Sequence, residues 1–255
     1  MSVKLTFLGT GTSQGVPLIA CPCEVCHSAD PKDKRLRSSV LIEHAGSTFV
    51  IDTGPDFREQ MLRAKVNNLD AVLFTHEHND HIIGLDDVRA YNFIHKKAMD
   101  IYASPRVQEA IHRLFPYIFS DNKYPGIPRL ELHTIFDEPF KIHKSVFTPI
   151  NVLHYKMPVK AFRIENVTYI TDANFIDENE KEKIAGSEII IVNALRREEH
   201  ISHFTLDQAV RLLEELRPRK AYLTHISHQM GKQTEITGLL PDWIEPAYDG
   251  LVITN

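Results

Sequence analysis

Apolar residues in this chain come in short runs, most of them strand-length. Lys4-Leu5-Thr6-Phe7-Leu8 alternates with a period of two and predicts a first strand, closed by Gly9-Thr10-Gly11-Thr12. Ser39–Glu43 and Thr48–Asp52 read as a hairpin turning at Ala45-Gly46-Ser47. Thr53-Gly54-Pro55-Asp56 then opens a helix with Phe57, Met61 and Leu62 on its apolar face. Asp70-Ala71-Val72-Leu73-Phe74 is apolar on both faces and predicts a short buried strand, with a helix beginning in Ile82–Arg89.

The middle is less regular. Residues 100–103 read as a strand, Ser104-Pro105 as a helix start with Val107, Ile111 and Leu114 inward, and 130–135 as another alternating strand. Arg113 and Lys123 read as solvated surface. No composition shift marks a linker, so residues 96–144 are expected to be an irregular elaboration within one domain spanning 1–255. The second half repeats the strand theme. Residues 145–153, 162–165, 167–170, 188–192 and 220–224 are strand candidates. Residues 206–216 form a helix with Leu206, Ala209, Val210, Leu212 and Leu213 inward and Thr205 as N-cap. Two halves of strands and helices predict an α/β fold with two sheets packed face to face and helices outside.

Composition narrows the class. At 255 residues and 43% hydrophobic, the chain can build a large core. A net charge of −5 argues against a main affinity for nucleic-acid phosphates. No apolar run reaches membrane-span length, and the glycines at Gly9 and Gly11 break the opening segment too early for a signal peptide. A cytoplasmic location is the expectation. The three cysteines, Cys21, Cys23 and Cys26, share one loop. An odd, tight set makes a poor disulfide framework and three-quarters of a tetrahedral metal site. The adjacent His27 is a local candidate for the fourth ligand.

The chemistry gathers after the buried strand, in Thr75-His76-Glu77-His78-Asn79-Asp80-His81. Imidazole and carboxylate are the usual ligands of zinc and related divalent ions. Later ligand types stand at the ends of apolar strands: His154 after Val152-Leu153, Asp172 after Tyr169-Ile170-Thr171, and His225 after Tyr222-Leu223-Thr224. Together these are five imidazoles and two carboxylates, enough for two metals that share one carboxylate. The natural partition is His76, His78 and His154 on one ion, Asp80, His81 and His225 on the other, and Asp172 between them. Zinc, manganese and iron all suit such a donor set.

The motif His76-x-His78-x-Asp80-His81 with His154, Asp172 and His225 resembles the metallo-β-lactamase superfamily. Phe7–Pro17, the cysteine loop and Leu223–Gln229 are similar to its phosphonate-pathway cyclic phosphodiesterase branch, which degrades a five-membered cyclic phosphate of ribose 5-phosphate. The resemblance implies a four-layer αββα sandwich of two mixed sheets with a dinuclear site at one edge. It implies a structural zinc on Cys21, Cys23, Cys26 and His228, and His203 as general acid. Asp52 resembles the superfamily's aspartate that orients the metal loop. Asp80 is expected to accept a hydrogen bond from a metal-bridging hydroxide nucleophile. Arg89 and Tyr91 are candidates for substrate phosphate or for ordinary helix surface. Pocket walls are expected from residues 91–98 and 117–128.

The implied activity is hydrolysis of a small phosphodiester, with a cyclic one included. An RNA 3′-processing nuclease of the same fold should carry a basic Gly/Pro-rich arm, and none is visible. A thioesterase or lactamase is not expected to carry the His203 motif. A non-catalytic carrier of the pyrroloquinoline-quinone type could dispense with part of the dinuclear set, which is complete here. The expected partner is therefore a small molecule rather than nucleic acid or membrane, with homodimerisation left open.

Overall fold

The computed structural model describes residues 1–121 and 124–255. Lys123 lies outside the described residues, and Arg113 is exposed as expected. The first half contributes β1 (Lys4–Gly9), β2 (Ser39–His44), β3 (Ser47–Ile51), β4 (Ala71–Leu73), β5 (Met99–Ala103) and β6 (Leu130–Thr134). The second half contributes β7 (Phe140–Ile142), β8 (Ser145–His154), β9 (Met157–Ile164), β10 (Val167–Tyr169), β11 (Phe175–Ile176), β12 (Ile189–Asn193), β13 (Lys220–Thr224), β14 (Ile244–Pro246) and β15 (Val252–Thr254). One sheet has the order β15-β1-β2-β3-β4-β5-β6, and the other β11-β8-β9-β10-β12-β13-β14 with β7 pairing β8. Both are mixed. The β2–β3, β7–β8, β8–β9 and β9–β10 hairpins and the longer-range β1–β2, β1–β15 and β8–β11 pairs are antiparallel, whereas β3 to β6 and β10, β12, β13 and β14 run parallel.

The helices are α1 (Phe57–Ala64), α2 (Asn79–Ile82), α3 (Arg89–His95), α4 (Pro105–Leu114), α5 (Pro116–Phe119), α6 (Glu178–Ile184), α7 (Leu206–Leu216) and α8 (Gln233–Leu239). Side chains of successive strand residues point to opposite faces, and both faces are covered. Phe49 and Ile51 therefore enter the core between the sheets with Phe147, Phe162, Tyr169 and Ile191. Val50 and Val72 point the other way, against Phe57, Met61, Val107 and Ile111. On the far side Val152, Ile190 and Val192 meet Ala209 and Leu213 of α7. The four layers are those of an αββα sandwich.

Several elements differ from expectation for physical reasons. Within residues 96–144 the two expected strands form as β5 and β6, and what the sequence did not show is that they extend the parallel half of the first sheet. Leu62 is 62% exposed, because α1 turns Phe57 and Met61 inward and the next position faces solvent. Between α2 and α3 the chain is a 3-10 segment, Ile83–Val88, rather than one continuous helix. Thr205 caps α7 as expected, with Gln208 reciprocating in a capping box.

Topology sets the location of the site. Parallel strands end at one edge, and β8 shares its direction with β10 because β9 runs antiparallel to both. The residues that follow β3, β4, β8, β10 and β13 therefore collect along that edge, as ligands do at the carboxyl ends of parallel strands.

Candidate metal centre

The edge carries Asp52 after β3, His76 to His81 after β4, His154 at the end of β8, Asp172 after β10 and His225 after β13. Three of these residues have left-handed backbones: Asp52 at φ 66°, Asp172 at 53° and His225 at 55°. For a residue with a Cβ this region costs on the order of 1–2 kcal/mol. Here it turns the chain sharply at a strand end and aims the side chain inward. Two glycines let the turn after β3 lie on the metal loop. A Cβ on Gly54 would stand 2.2 Å from the Asp80 carbonyl oxygen, and one on Gly84 2.1 Å from that of Gly54. The Thr53 amide then reaches the His81 carbonyl at 2.7 Å.

The imidazoles are held by their outer nitrogens. His81 Nδ1 donates to Asp52 Oδ2 at 2.7 Å. The Thr75 hydroxyl donates to the same carboxylate at 2.8 Å, so it accepts from His76 Nδ1 at 2.9 Å. His154 Nδ1 donates to the Ser202 carbonyl at 2.8 Å. In each ring this leaves Nε2 for the centre, and fixing the tautomer in this way is what metal sites require. Inside, His81 Nε2 lies 3.2 Å from Asp80 Oδ2 and 3.3 Å from Asp172 Oδ2. His225 Nδ1 lies 3.2 Å from Asp172 Oδ2. Tetrahedral ligation with bonds of about 2 Å spaces donor atoms roughly 3.3 Å apart.

The centre is short of positive charge and of hydrogen-bond partners. His76 Nε2, His81 Nε2 and both nitrogens of His225 are buried without a partner, which natural cores avoid. Burial disfavours charge on His81, yet Asp172, Asp80 and Asp52 around it raise its pKa well above the ordinary range. Burial pushes Asp172 upward, but His225 and His81 hold it far below the usual carboxylate range. The carboxylates draw a proton onto His81 where a divalent cation would serve them better. The donor set fits metal.

The rings form one continuous cluster, in which His76 and His81 are the tightest pair at 4.1 Å between centroids and His81 and His225 stack at 6.1 Å. His76 and His78 centroids are 4.7 Å apart and His78 and His154 5.1 Å apart. Tight groupings cross the partition at Asp172: one donor atom each from His76, His81 and Asp172 lie within 4.8 Å, as do those of His154, Asp172 and His203. His203 is buried between the halves, 4.4 Å from His154 and 4.7 Å from His225 by centroid, with Nδ1 3.9 Å from Asp172. Burial, with His225 and His154 beside it, pushes its imidazole down to about 2. The ring is neutral in the free protein. His200 is half-buried, 5.2 Å from His203, a neighbour rather than part of the cluster.

A second donor set closes over the first loop. His228 Nδ1 is 3.4 Å from both Cys21 Sγ and Cys23 Sγ, and one donor atom from each of the three cysteines and His228 falls within 4.8 Å of the others. The local candidate, His27, is exposed and its ring bonds the Cys23 carbonyl instead. The Cys26 amide and His228 lower the Cys23 thiol to about 6, so it is a thiolate at neutral pH. Burial raises Cys26 to about 11. The same segment serves both sites, since His225 and His228 flank Ile226, which pairs with the first loop through Thr10 and Thr12.

Arg89 and Tyr91 stand away from this edge. Arg89 pairs with Asp86 at 3.1 Å, and Tyr91 is buried on the α1 side with its hydroxyl on the Val66 carbonyl. The groove that opens onto the centre is walled instead by Arg106, Tyr155, Lys156 and Ile201. Thr75 and Ser202 were not expected to hold ligands; a hydroxyl immediately before His76 was the available signal for Thr75.

Comparison with known proteins agrees with the geometry. A model of the beta-lactamase superfamily domain matches residues 47–226. A crystal structure described as a new diphosphatase from the PhnP family superposes with a TM-score of 0.94 at 38% identity, covering 100% of this chain and 98% of that one. An octanoyltransferase of Porphyromonas gingivalis is 38% identical over 98% of this chain. The chain spans only 51% of that protein's length, about half. Ribonuclease Z of Bradyrhizobium diazoefficiens is 27% identical over 48% of this chain and 36% of its own length. Edge geometry, family match and full-length superposition together make the chain a member of the metallo-β-lactamase superfamily, in its PhnP branch.

Proposed function

We propose that the chain is a cytoplasmic phosphodiesterase acting on a small phosphodiester, cyclic ones included. In this reading His76, His78 and His154 hold one divalent ion, Asp80, His81 and His225 a second, and Asp172 bridges; zinc and manganese suit the donors. Cys21, Cys23, Cys26 and His228 hold a structural zinc. The observation that carries the reading is His203. It is a buried imidazole that stands among the ligand rings, and its Nδ1 has no hydrogen-bond partner.

When bound, divalent ions would polarise the phosphoryl oxygens and make a water acidic enough to attack at neutral pH. The chain's own groups do the rest. Asp80, half-buried, accepts a hydrogen bond from the attacking water and so orients it. Asp52, Thr75 and Ser202 keep the ligand rings from turning. As the new oxygen–phosphorus bond forms and the ester bond breaks, His203 passes a proton to the leaving alkoxide. Burial and the neighbouring imidazoles hold this ring below its ordinary range, and the negative charge of a bound phosphoryl group favours its protonation.

A phosphoanhydride is the second reading, favoured by the 38% identity to a described diphosphatase. The nuclease reading is weaker, because the chain lacks a basic Gly/Pro-rich arm and the ribonuclease Z match covers 48% of it. A carrier role would not need every ligand and His203 together. The deciding experiment is turnover by metal-loaded protein of cyclic ribose phosphates, 2′,3′-cyclic nucleotides, an aryl phosphodiester, a diphosphate, a thioester and a β-lactam. Hydrolysis confined to the thioester or lactam refutes the proposal. Metal content should be three ions per chain; a carrier would hold one.

A further inference from the structure

An open groove of about 510 Å³ runs directly into the candidate centre, with His78 and His154 in its lining. Its most unusual member is Tyr155. Strands β8 and β9 pair out to His154 and Met157, so Tyr155-Lys156 is a two-residue reversal. Such reversals with φ above zero favour glycine or asparagine. Tyr155 holds φ 59° there. A tyrosine usually offsets a backbone cost by burying its ring, but this one is 49% exposed. The fold gains little from it, and the ring faces the groove beside a metal-ligand candidate.

The surroundings are arranged around that ring. Asn174 accepts from the Tyr155 amide at 2.7 Å and donates to the Ile201 carbonyl at 3.2 Å. One side chain therefore fixes both the turn and the loop that carries Ile201, itself 67% exposed. Lys156 Nζ lies 5.3 Å from the Tyr155 ring centroid and has no ion pair among the described residues. Arg106, across the groove, is already held by Glu77. The groove thus offers a flat aromatic face, an apolar neighbour and one free cation, all contiguous with the place where a phosphoryl group would react.

We propose that this groove is a subsite for a planar ring carried next to the scissile phosphoryl group, stacked on Tyr155 with Ile201 alongside and Lys156 serving a further anionic group. The substrate class is then nucleotide-type, rather than a bare sugar phosphate. The inference rests on the phosphodiesterase reading for its scissile bond, but the stacking itself can be measured separately.

The test compares adenosine 2′,3′-cyclic phosphate with methyl ribofuranoside 2,3-cyclic phosphate, which carries the same reacting bond without the base. Base stacking on one aromatic ring predicts a preference of about tenfold in kcat/KM for the base-bearing ester. Y155F should keep that ratio and Y155G should bring it near one. Glycine accepts the turn's φ without steric cost, so Y155G should melt no lower than the wild type. Equal kcat/KM for the two esters in the wild type, or an unmoved ratio in Y155G, overturns the proposal while leaving phosphodiesterase activity standing. If neither ester is hydrolysed, the phosphodiesterase reading stands or falls on the wider substrate panel. Calorimetry on the metal-loaded protein then decides the subsite. AMP should bind about tenfold tighter than ribose 5-phosphate to the wild type and lose that advantage in Y155G. Equal affinities overturn it.

Discussion

Replacing Asp52 with asparagine separates holding the fold from orienting the metal loop. The carboxylate accepts the Thr75 amide on one oxygen, and the Thr75 hydroxyl and His81 Nδ1 on the other. Asparagine keeps one acceptor and turns an N–H towards a donor. The loss is about one charge-assisted hydrogen bond, ~1.5–3 kcal/mol. Against it, burial pushes the Asp52 carboxyl above its ordinary range even with His81 and Thr75 pulling down. Removing a costly buried charge returns a comparable amount. The two offset to within about 1 kcal/mol, or roughly 2–4 °C in Tm for a chain of this size, in the metal-free protein. Metal affinity has no such compensation, because His81 Nε2 points at Asp80 and Asp172 only while Nδ1 has its anionic acceptor. Loss of such an outer partner costs ~10–100-fold in metal affinity, about 1.4–2.7 kcal/mol. At a fixed zinc or manganese concentration the metal-induced rise in Tm shrinks by that free energy. The assay is thermal melting with and without metal, paired with a chelator-competition titration. A large fall in metal-free Tm with unchanged metal affinity would show that Asp52 only supports the fold, and the orienting role would be wrong.

His203→Ala should keep metal content and lose ~10²–10⁴ in kcat on an alkoxide leaving group, with a much smaller loss on nitrophenolate; equal losses refute proton donation. Cys23→Ser should remove one ion per chain by elemental analysis and lower Tm. An unchanged metal count would show that the cysteine loop holds no ion. Asp172→Asn should weaken binding of both active-site ions, whereas an effect on one alone would contradict bridging. In the core, Phe147→Ala should cost ~3–5 kcal/mol by denaturant unfolding. Leu62→Ala, on an exposed face, should stay within about 0.5 kcal/mol.

The sequence by itself determined the longer strands and where their chemistry sits. Period-two alternation and doubly apolar runs are local properties, and they located β1 to β4, β8, β12 and β13 closely. Ligand-type residues at strand ends were legible for the same reason. A parallel sheet gathers its carboxyl ends at one edge, so His76, His154, Asp172 and His225 converge without any local signal saying so. Short strands held only by distant partners were not legible, as with β15, which exists because β1 offers it an edge. The motif resemblance pointed to His228 rather than His27 for the cysteines, but local residue spacing did not, since the choice depends on Ile226 pairing with a loop more than 200 residues earlier. The fold alone turned Tyr91 into the α1 side and brought Tyr155, Arg106 and Ile201 to the groove. Which side chains share a pocket is fixed by packing between elements far apart in sequence, and periodicity carries no record of that. The tautomers of His76 and His81 belong to the same class: they follow from one buried carboxylate and one hydroxyl that only the tertiary fold places together.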